Sequence, residues 1–199
     1  MNPLRVIAIL AGAPLALCAQ MPAMHEHHMA NADVPTIAVS GLNIPDVVLL
    51  NQHGEKVRFF SDLIKGKVVA INTIYTTCTT ICPIMGANFA RLRRVMQDRA
   101  EGKVNLISIS IDPVVDTPER LNQWSRTFGE TGPGWTLLTG PKSDVDRLLK
   151  ALRVFTSDKA DHAPVALIGS ESGADWARAS ALLAPTRLAE LIQARTAPH

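Results

Sequence analysis

Short apolar runs bounded by polar turns alternate along this chain with longer stretches whose apolar positions recur every three or four residues. The first kind predicts strands and the second helices. Val47-Val48-Leu49-Leu50 has strand length, and Asn51-Gln52-His53-Gly54 supplies turn chemistry before Val57-Arg58-Phe59-Phe60, so a small hairpin is expected. Ser61-Asp62-Leu63 caps a brief helical turn that Gly66 ends. Residues 68–73 form a mainly apolar strand that leads into a loop holding Cys78 and Cys82. Beyond Pro83, the residues Ile84, Ala87, Ala90, Leu92, Val95 and Met96 recur at roughly helical spacing, with Arg91, Arg93, Arg94 and Gln97 outside. This predicts a helix over 84–99, stopped by Gly102, with Pro83 in the first turn where its missing N–H costs nothing.

The second half repeats the alternation. Residues 104–111 read as a strand of the parallel type, and Thr117-Pro118-Glu119 opens a helix running to about Phe128: Thr as N-cap, Pro at the first helical position, an acid in the first turn. Trp135-Thr136-Leu137-Leu138 is a short strand, and Ser143-Asp144 caps a helix whose buried face is Val145, Leu148, Leu149 and Leu152. Val165-Ala166-Leu167-Ile168 is a strand with a turn at 169–173, and a last helix starts near Pro185-Thr186. The order β-β-β-α-β-α-β-α-β-β-α predicts an α/β fold, a mixed sheet flanked by helices. A strand–cysteine loop–helix unit early, and a proline–strand–hairpin–helix unit late, give it a thioredoxin-like core with an added N-terminal hairpin. In such folds the loop before the late strand lies against the cysteines and its proline is often cis. Here that proline is Pro164, with His162 two residues before it.

At 199 residues the chain suits one domain plus an N-terminal appendage. A net charge of +2, with no basic run and a single Tyr, excludes a nucleic-acid surface. No oligomerisation seam is visible, so a monomer is expected. Arg5 followed by the apolar stretch 6–17 has the form of a signal peptide and is too short, with Gly12 and Pro14, for a comfortable membrane span. Residues 1–20 are therefore read as a signal or anchor, which implies export to the periplasm. Leu15-Ala16-Leu17-Cys18 resembles a lipoprotein box, in which Cys18 would be lipidated and hold the protein at a membrane surface. Residues 21–40 read as a flexible linker and 41–196 as the globular domain. The linker carries Met21, Met24, His25, His27, His28 and Met29, thioether and imidazole ligands at a density that suits copper.

Cys78 and Cys82 concentrate the chemistry. At a strand-to-helix junction, unpaired main-chain amides and the positive end of the helix dipole favour thiolate. If both lie in the first turn, the spacing puts both sulfurs on one face. They are a redox pair or a two-thiolate metal site; the plainer alternative is two small buried apolar residues. His162 is the one histidine placed to reach them. Asp112, at the carboxyl end of a strand, is an auxiliary candidate. Asp116 reads as a loop or capping group, Met85 as packing and His53 as an exposed turn residue.

With Cys-x-x-x-Cys-Pro at 78–83, Ile-Ser-Ile-Asp-Pro-Val-Val-Asp-Thr-Pro-Glu at 109–119 and Asp161-His162 before the late strand, the chain resembles the Sco/SenC family of thioredoxin-fold copper proteins. The resemblance implies copper held by Cys78, Cys82 and His162, as Cu(I) and with an added ligand Cu(II). It implies a role in maturing the dinuclear copper site of cytochrome c oxidase, with subunit II as client, by copper delivery, by reduction of the client's cysteines, or by both. A thiol–disulfide oxidoreductase without a copper role is the alternative, and a thiol peroxidase a third. Thr79 stands where many members have proline, and Ala163-Pro164 is a more thioredoxin-like or peroxiredoxin-like continuation that points towards redox chemistry.

Overall fold

The computed structural model describes residues 36–97, 103–129, 132–172 and 176–196, all inside the compact unit Asn31–His199. Residues 1–20, read above as a signal or anchor and containing Cys18, and the cluster Met21, Met24, His25, His27, His28 and Met29 lie outside the described residues. Eight strands make one sheet among the described residues, in the order β1-β8-β7-β4-β5-β6-β2-β3. Its centre is parallel: β4 (Val68–Ile74), β5 (Val104–Ser110) and β6 (Trp135–Thr139). Antiparallel strands flank it, with β7 (Val165–Ser170), β8 (Trp176–Ser180) and β1 (Ile37–Val39) on one side. The hairpin of β2 (Val48–Asn51) and β3 (Lys56–Arg58) closes the other. This is the expected thioredoxin-like mixed sheet with its added hairpin.

All seven residues of β4 are buried, because helices cover both faces and each side chain of a doubly covered strand meets a core. Period-two alternation sorts them. Val68, Ala70 and Ile74 pack under α1 (Ile81–Gln97), α2 (Pro118–Arg126) and α4 (Pro185–Thr196), while Val69 and Ile71 meet α3 (Lys142–Ala151) on the opposite face.

Several sequence expectations are corrected. Phe59 and Phe60 do not extend the hairpin strand but open a one-turn π-helical segment, Phe59–Ile64. The Asp46 carboxylate accepts the Phe60 and Ser61 amides, both at 3.0 Å, and turns the chain at that point. Ser143 and Asp144 do not cap α3: it begins one residue earlier behind Pro141 with no side-chain cap, and Asp144 pairs with Arg147 at 2.9 Å instead. The Ala163–Pro164 bond, whose isomer the sequence leaves open, is trans, as are the other peptide bonds of the described residues. On α1, Ile84 is 54% exposed whereas Arg93 is buried, its guanidinium lying where a side chain at Gly132 would sit. β1 has no counterpart in the sequence reading; three residues with one partly buried position carry too little pattern to register.

Gly86 permits the close approach of α1 to α2. A Cβ there would lie 2.6 Å from the Phe128 ring and 2.7 Å from Trp124, and these two rings already pack edge to face with centroids 4.6 Å apart. Replacing a helical glycine with alanine ordinarily gains up to ~1 kcal/mol, but overpacking costs ~1–3 kcal/mol, and two bulky rings that hold each other have little freedom to yield. Gly86→Ala is therefore expected to lower stability, read as a fall in the urea midpoint with an unchanged m-value.

Candidate metal and redox site

The chain leaves β4 at Ile74, turns through Tyr75, Thr76 and Thr77, passes Cys78 and enters α1 at Ile81. Cys78 therefore precedes the helix and only Cys82 lies inside it, so the turn rather than helical spacing brings them together. The Cys78 amide donates to the Tyr75 carbonyl at 3.2 Å. The Cys82 amide donates to the Cys78 sulfur at 3.4 Å, and the Thr80 hydroxyl lies 3.6 Å from the same sulfur. The first amides of a helix lack intrahelical acceptors, and here a sulfur takes one of them. Both cysteines are buried free thiols.

Their acidities are driven apart. Burial by itself pushes the Cys78 thiol up, but hydrogen bonds from the Cys82 amide and side chain and from the Thr80 amide and hydroxyl outweigh it, leaving the pKa lowered to about 6. Burial pushes Cys82 up to about 12; contact with the Tyr75 backbone opposes this, while the bond to Cys78 and the charges of Cys78 and Asp116 add to it. Near neutral pH the pair is one thiolate and one thiol, the arrangement that thiol exchange needs.

Asp116 has a larger part than a loop or capping group. Its carboxylate is fully buried, accepting the Thr76 amide at 3.1 Å, the Thr76 hydroxyl at 2.5 Å and the Ser110 hydroxyl at 2.6 Å. It ties the cysteine turn to the end of β5. The sequence concealed this because Thr117 takes the N-cap position of α2, which frees the preceding side chain to turn inward. Asp112 is not gathered with the cysteines: it forms an ion pair with Lys159 at 2.5 Å, whose ammonium lies 5.5 Å from the centre of the Tyr75 ring. Met85 is fully buried core and His53 is an exposed turn residue, as expected.

His162 follows a 3₁₀ turn, Lys159–Asp161, and is 8% exposed. Its Nε2 donates to the Thr73 carbonyl at 2.7 Å, and its ring meets Tyr75 edge to face at 6.1 Å. Burial lowers its pKa against the opposing pull of the Thr73 bond, so it is neutral at pH 7. Its Nδ1 is buried with no hydrogen-bond partner. Among the described residues no three His, Cys, Asp or Glu side chains are gathered as a ready metal site. The thiol pair is assembled, and the imidazole is docked on Tyr75 at the root of the same loop. Two sulfurs and an open imidazole nitrogen fit a soft cation.

A model of the SCO1/SenC family matches residues 44–173, a stretch that contains Cys78, Cys82 and His162. The chain belongs to the SCO1/SenC family. It is 36% identical over 107 residues to a SCO1 protein homolog of Bacillus subtilis, covering 53% of this chain and 52% of the relative; it spans about half the length of the curated relatives it matches first. Among solved structures, Bradyrhizobium japonicum ScoI with copper bound matches with a TM-score of 0.63 at 27% identity, covering 79% of this chain and 99% of that one. BsSco, described with a disulfide switch and as one of the Sco family of cytochrome c oxidase assembly proteins, matches in fold with a TM-score of 0.64 at 22% identity, over 78% and 96% of the two chains. Among the described residues of this SCO1/SenC protein, no helix is long and apolar enough to cross a membrane.

Iodoacetamide is expected to modify Cys78 with a half-maximal rate near pH 6, since the thiolate is the nucleophile, and to spare Cys82 until the protein unfolds. Asp116→Ala strands three donors at a buried position and is expected to cost about 1–3 kcal/mol, measured by chemical denaturation. Asp116→Asn keeps an acceptor but removes a charge that raises Cys82, so it is expected to lower that thiol's pKa.

Proposed function

We propose that this protein is an exported copper carrier that also exchanges thiols with its client, with Cys78 and Cys82 as sulfur ligands and His162 as the third. The observation that carries this reading is the cysteine pair: a thiolate and a buried thiol joined by one hydrogen bond at the N-terminus of α1, in a SCO1/SenC chain. Two thiolates and an imidazole suit Cu(I), and Cu(II) calls for an added ligand. The copper-bound ScoI relative supports the choice of metal. The client is a copper-receiving or disulfide-bearing polypeptide, for which cytochrome c oxidase subunit II is our candidate, in keeping with the description of BsSco. Residues 1–20 serve as export signal or membrane anchor, and 41–196 carry the copper and redox chemistry.

Release follows from the chemistry of the pair. The Cys78 thiolate attacks a client disulfide, one client sulfur departs as thiolate, and a mixed disulfide forms. Cys82, which has lost its proton on holding the metal, attacks the Cys78 sulfur, and the client thiolates take their protons from solvent. The second client thiolate leaves, and a Cys78–Cys82 disulfide remains. Two electrons pass to the client, which becomes a dithiol, and the carrier loses both sulfur ligands together. The opposed acidities of Cys78 and Cys82 also favour a second reading, thiol–disulfide exchange without copper.

Titration of the reduced protein with Cu(I) separates the two. One tightly bound equivalent is expected, abolished by Cys78→Ser or Cys82→Ser and weakened by His162→Ala; no uptake by the reduced thiols leaves the oxidoreductase reading. Metal competes with the proton on Cys82, whose pKa is about 12, while Cys78 is already ionised above about pH 6. One proton is therefore displaced per copper between pH 7 and 9, and affinity rises about tenfold per pH unit over that range. We propose further that Met21, Met24, His25, His27, His28 and Met29 form an auxiliary copper site, supported by their ligand chemistry. In the double Cys78→Ser, Cys82→Ser protein a weaker copper-binding phase is expected to remain, and to vanish when those six residues are replaced by Ser.

A further inference from the structure

The imidazole of His162 is buried, yet only one of its nitrogens is used. Nε2 lies 2.7 Å from the Thr73 carbonyl oxygen. A carbonyl oxygen can only accept, so Nε2 carries the ring proton and the lone pair sits on Nδ1. That Nδ1 is enclosed by the protein and meets no donor. Buried acceptors in folded proteins are nearly always paired, and one left open calls for a missing partner.

We infer that His162 meets copper through Nδ1 while its Nε2–H stays on the Thr73 carbonyl. The inference rests on the copper reading above and specifies which atom of the third ligand is offered. A metal-bound histidine commonly donates its other ring N–H to a carbonyl or carboxylate, which fixes the tautomer, orients the ring and makes the ligating nitrogen more basic. Here that support is already in place. Thr73 lies on β4, the strand that leads into the Cys78 turn, so the strand presenting the thiols also orients the imidazole. The β4–β7 ladder reaches Asn72 paired with Ala166, and Thr73 lies one residue beyond it, where the loop carrying His162 approaches. Tyr75 walls the ring on another side at 6.1 Å. The three ligands are not gathered as a ready group, so coordination through Nδ1 requires the ring and the sulfurs to approach one another while the Thr73 bond is kept.

The test uses the full chain, reduced and labelled with ¹⁵N in the imidazole rings, with His162→Ala to assign the signals. Proton–nitrogen correlation spectra are recorded above pH 7 before and after one equivalent of Cu(I), with copper uptake measured on the same samples. The free protein is expected to show the Nε2–H tautomer at His162. Copper is expected to shift Nδ1 strongly while Nε2 keeps its directly bonded proton. Loss of the Nε2 proton with coordination there overturns the inference, as does copper uptake that leaves both nitrogens unmoved. Absence of any uptake overturns the copper reading and this one with it. As a second measurement, Nδ-methylhistidine at position 162 is expected to weaken Cu(I) binding as His162→Ala does, by ~10-fold or more; unmodified affinity in that variant overturns the inference.

Discussion

The hydrogen bond from the Cys82 amide to the Cys78 sulfur exists because a helix begins where a fully covered strand ends. β4 is buried along its whole length, so its direction is fixed by packing on both faces. α1 is fixed in turn by Phe89, Leu92 and Met96 against the sheet. Between two such rigid elements a short turn has little freedom, and it sets the Cys78 sulfur against the unpaired amides at the head of α1. A thiolate is then the most favourable occupant, since the amides and the helix dipole both attract negative charge. Cys82, the second residue of α1, receives burial and the neighbouring charge without that relief. One fold feature thus drives two chemically equal groups in opposite directions.

Around this pair the protein builds a fence from two other segments, the loop after β5 and the loop carrying His162. Asp116 anchors the Thr76 turn to β5 through buried hydrogen bonds. Asp112 holds Lys159, and Lys159 lies over Tyr75, so the loop carrying His162 is clipped to the loop after β5. The Lys159 side chain is about half exposed, and an exposed pair contributes ~0–1 kcal/mol, enough to bias the loop without locking it. For the copper-carrier function proposed above, weak clips around a rigid dithiol suit a protein that must accept and then release its cargo. The strands behind the loop are firmer: the indole of Trp176 occupies the space over Gly169 that any side chain would need, which keeps β7 and β8 in register.

Much of this was legible from the chain alone. The strand, cysteine loop and helix at 68–97 announced themselves by a change of hydrophobic period, and Thr117-Pro118 marked the start of α2 as capping chemistry requires. Phe59 and Phe60 favour strands and so extend the expected hairpin strand two residues past its end, whereas the distant Asp46 turns the chain there through tertiary hydrogen bonds. Charge usually stays outside, so the pattern predicts an exposed Arg93; its burial depends on a glycine in a distant loop. Asp116 looked like capping chemistry because nothing local says which way an N-terminal carboxylate will turn.

The sequence by itself determined the element order, the layering and the two cysteines at a helix start, since periodicity and capping act over a few residues and are written locally. Only the tertiary structure decided that Cys78 stands before the helix while Cys82 is within it, that their acidities diverge, and that His162 keeps Nε2 on Thr73 with Nδ1 open. Burial under distant elements, the 89-position contact of His162 with Thr73 and a turn whose own hydrogen bonds reach the Cys78 sulfur set those properties, and hydrophobic periodicity encodes none of them.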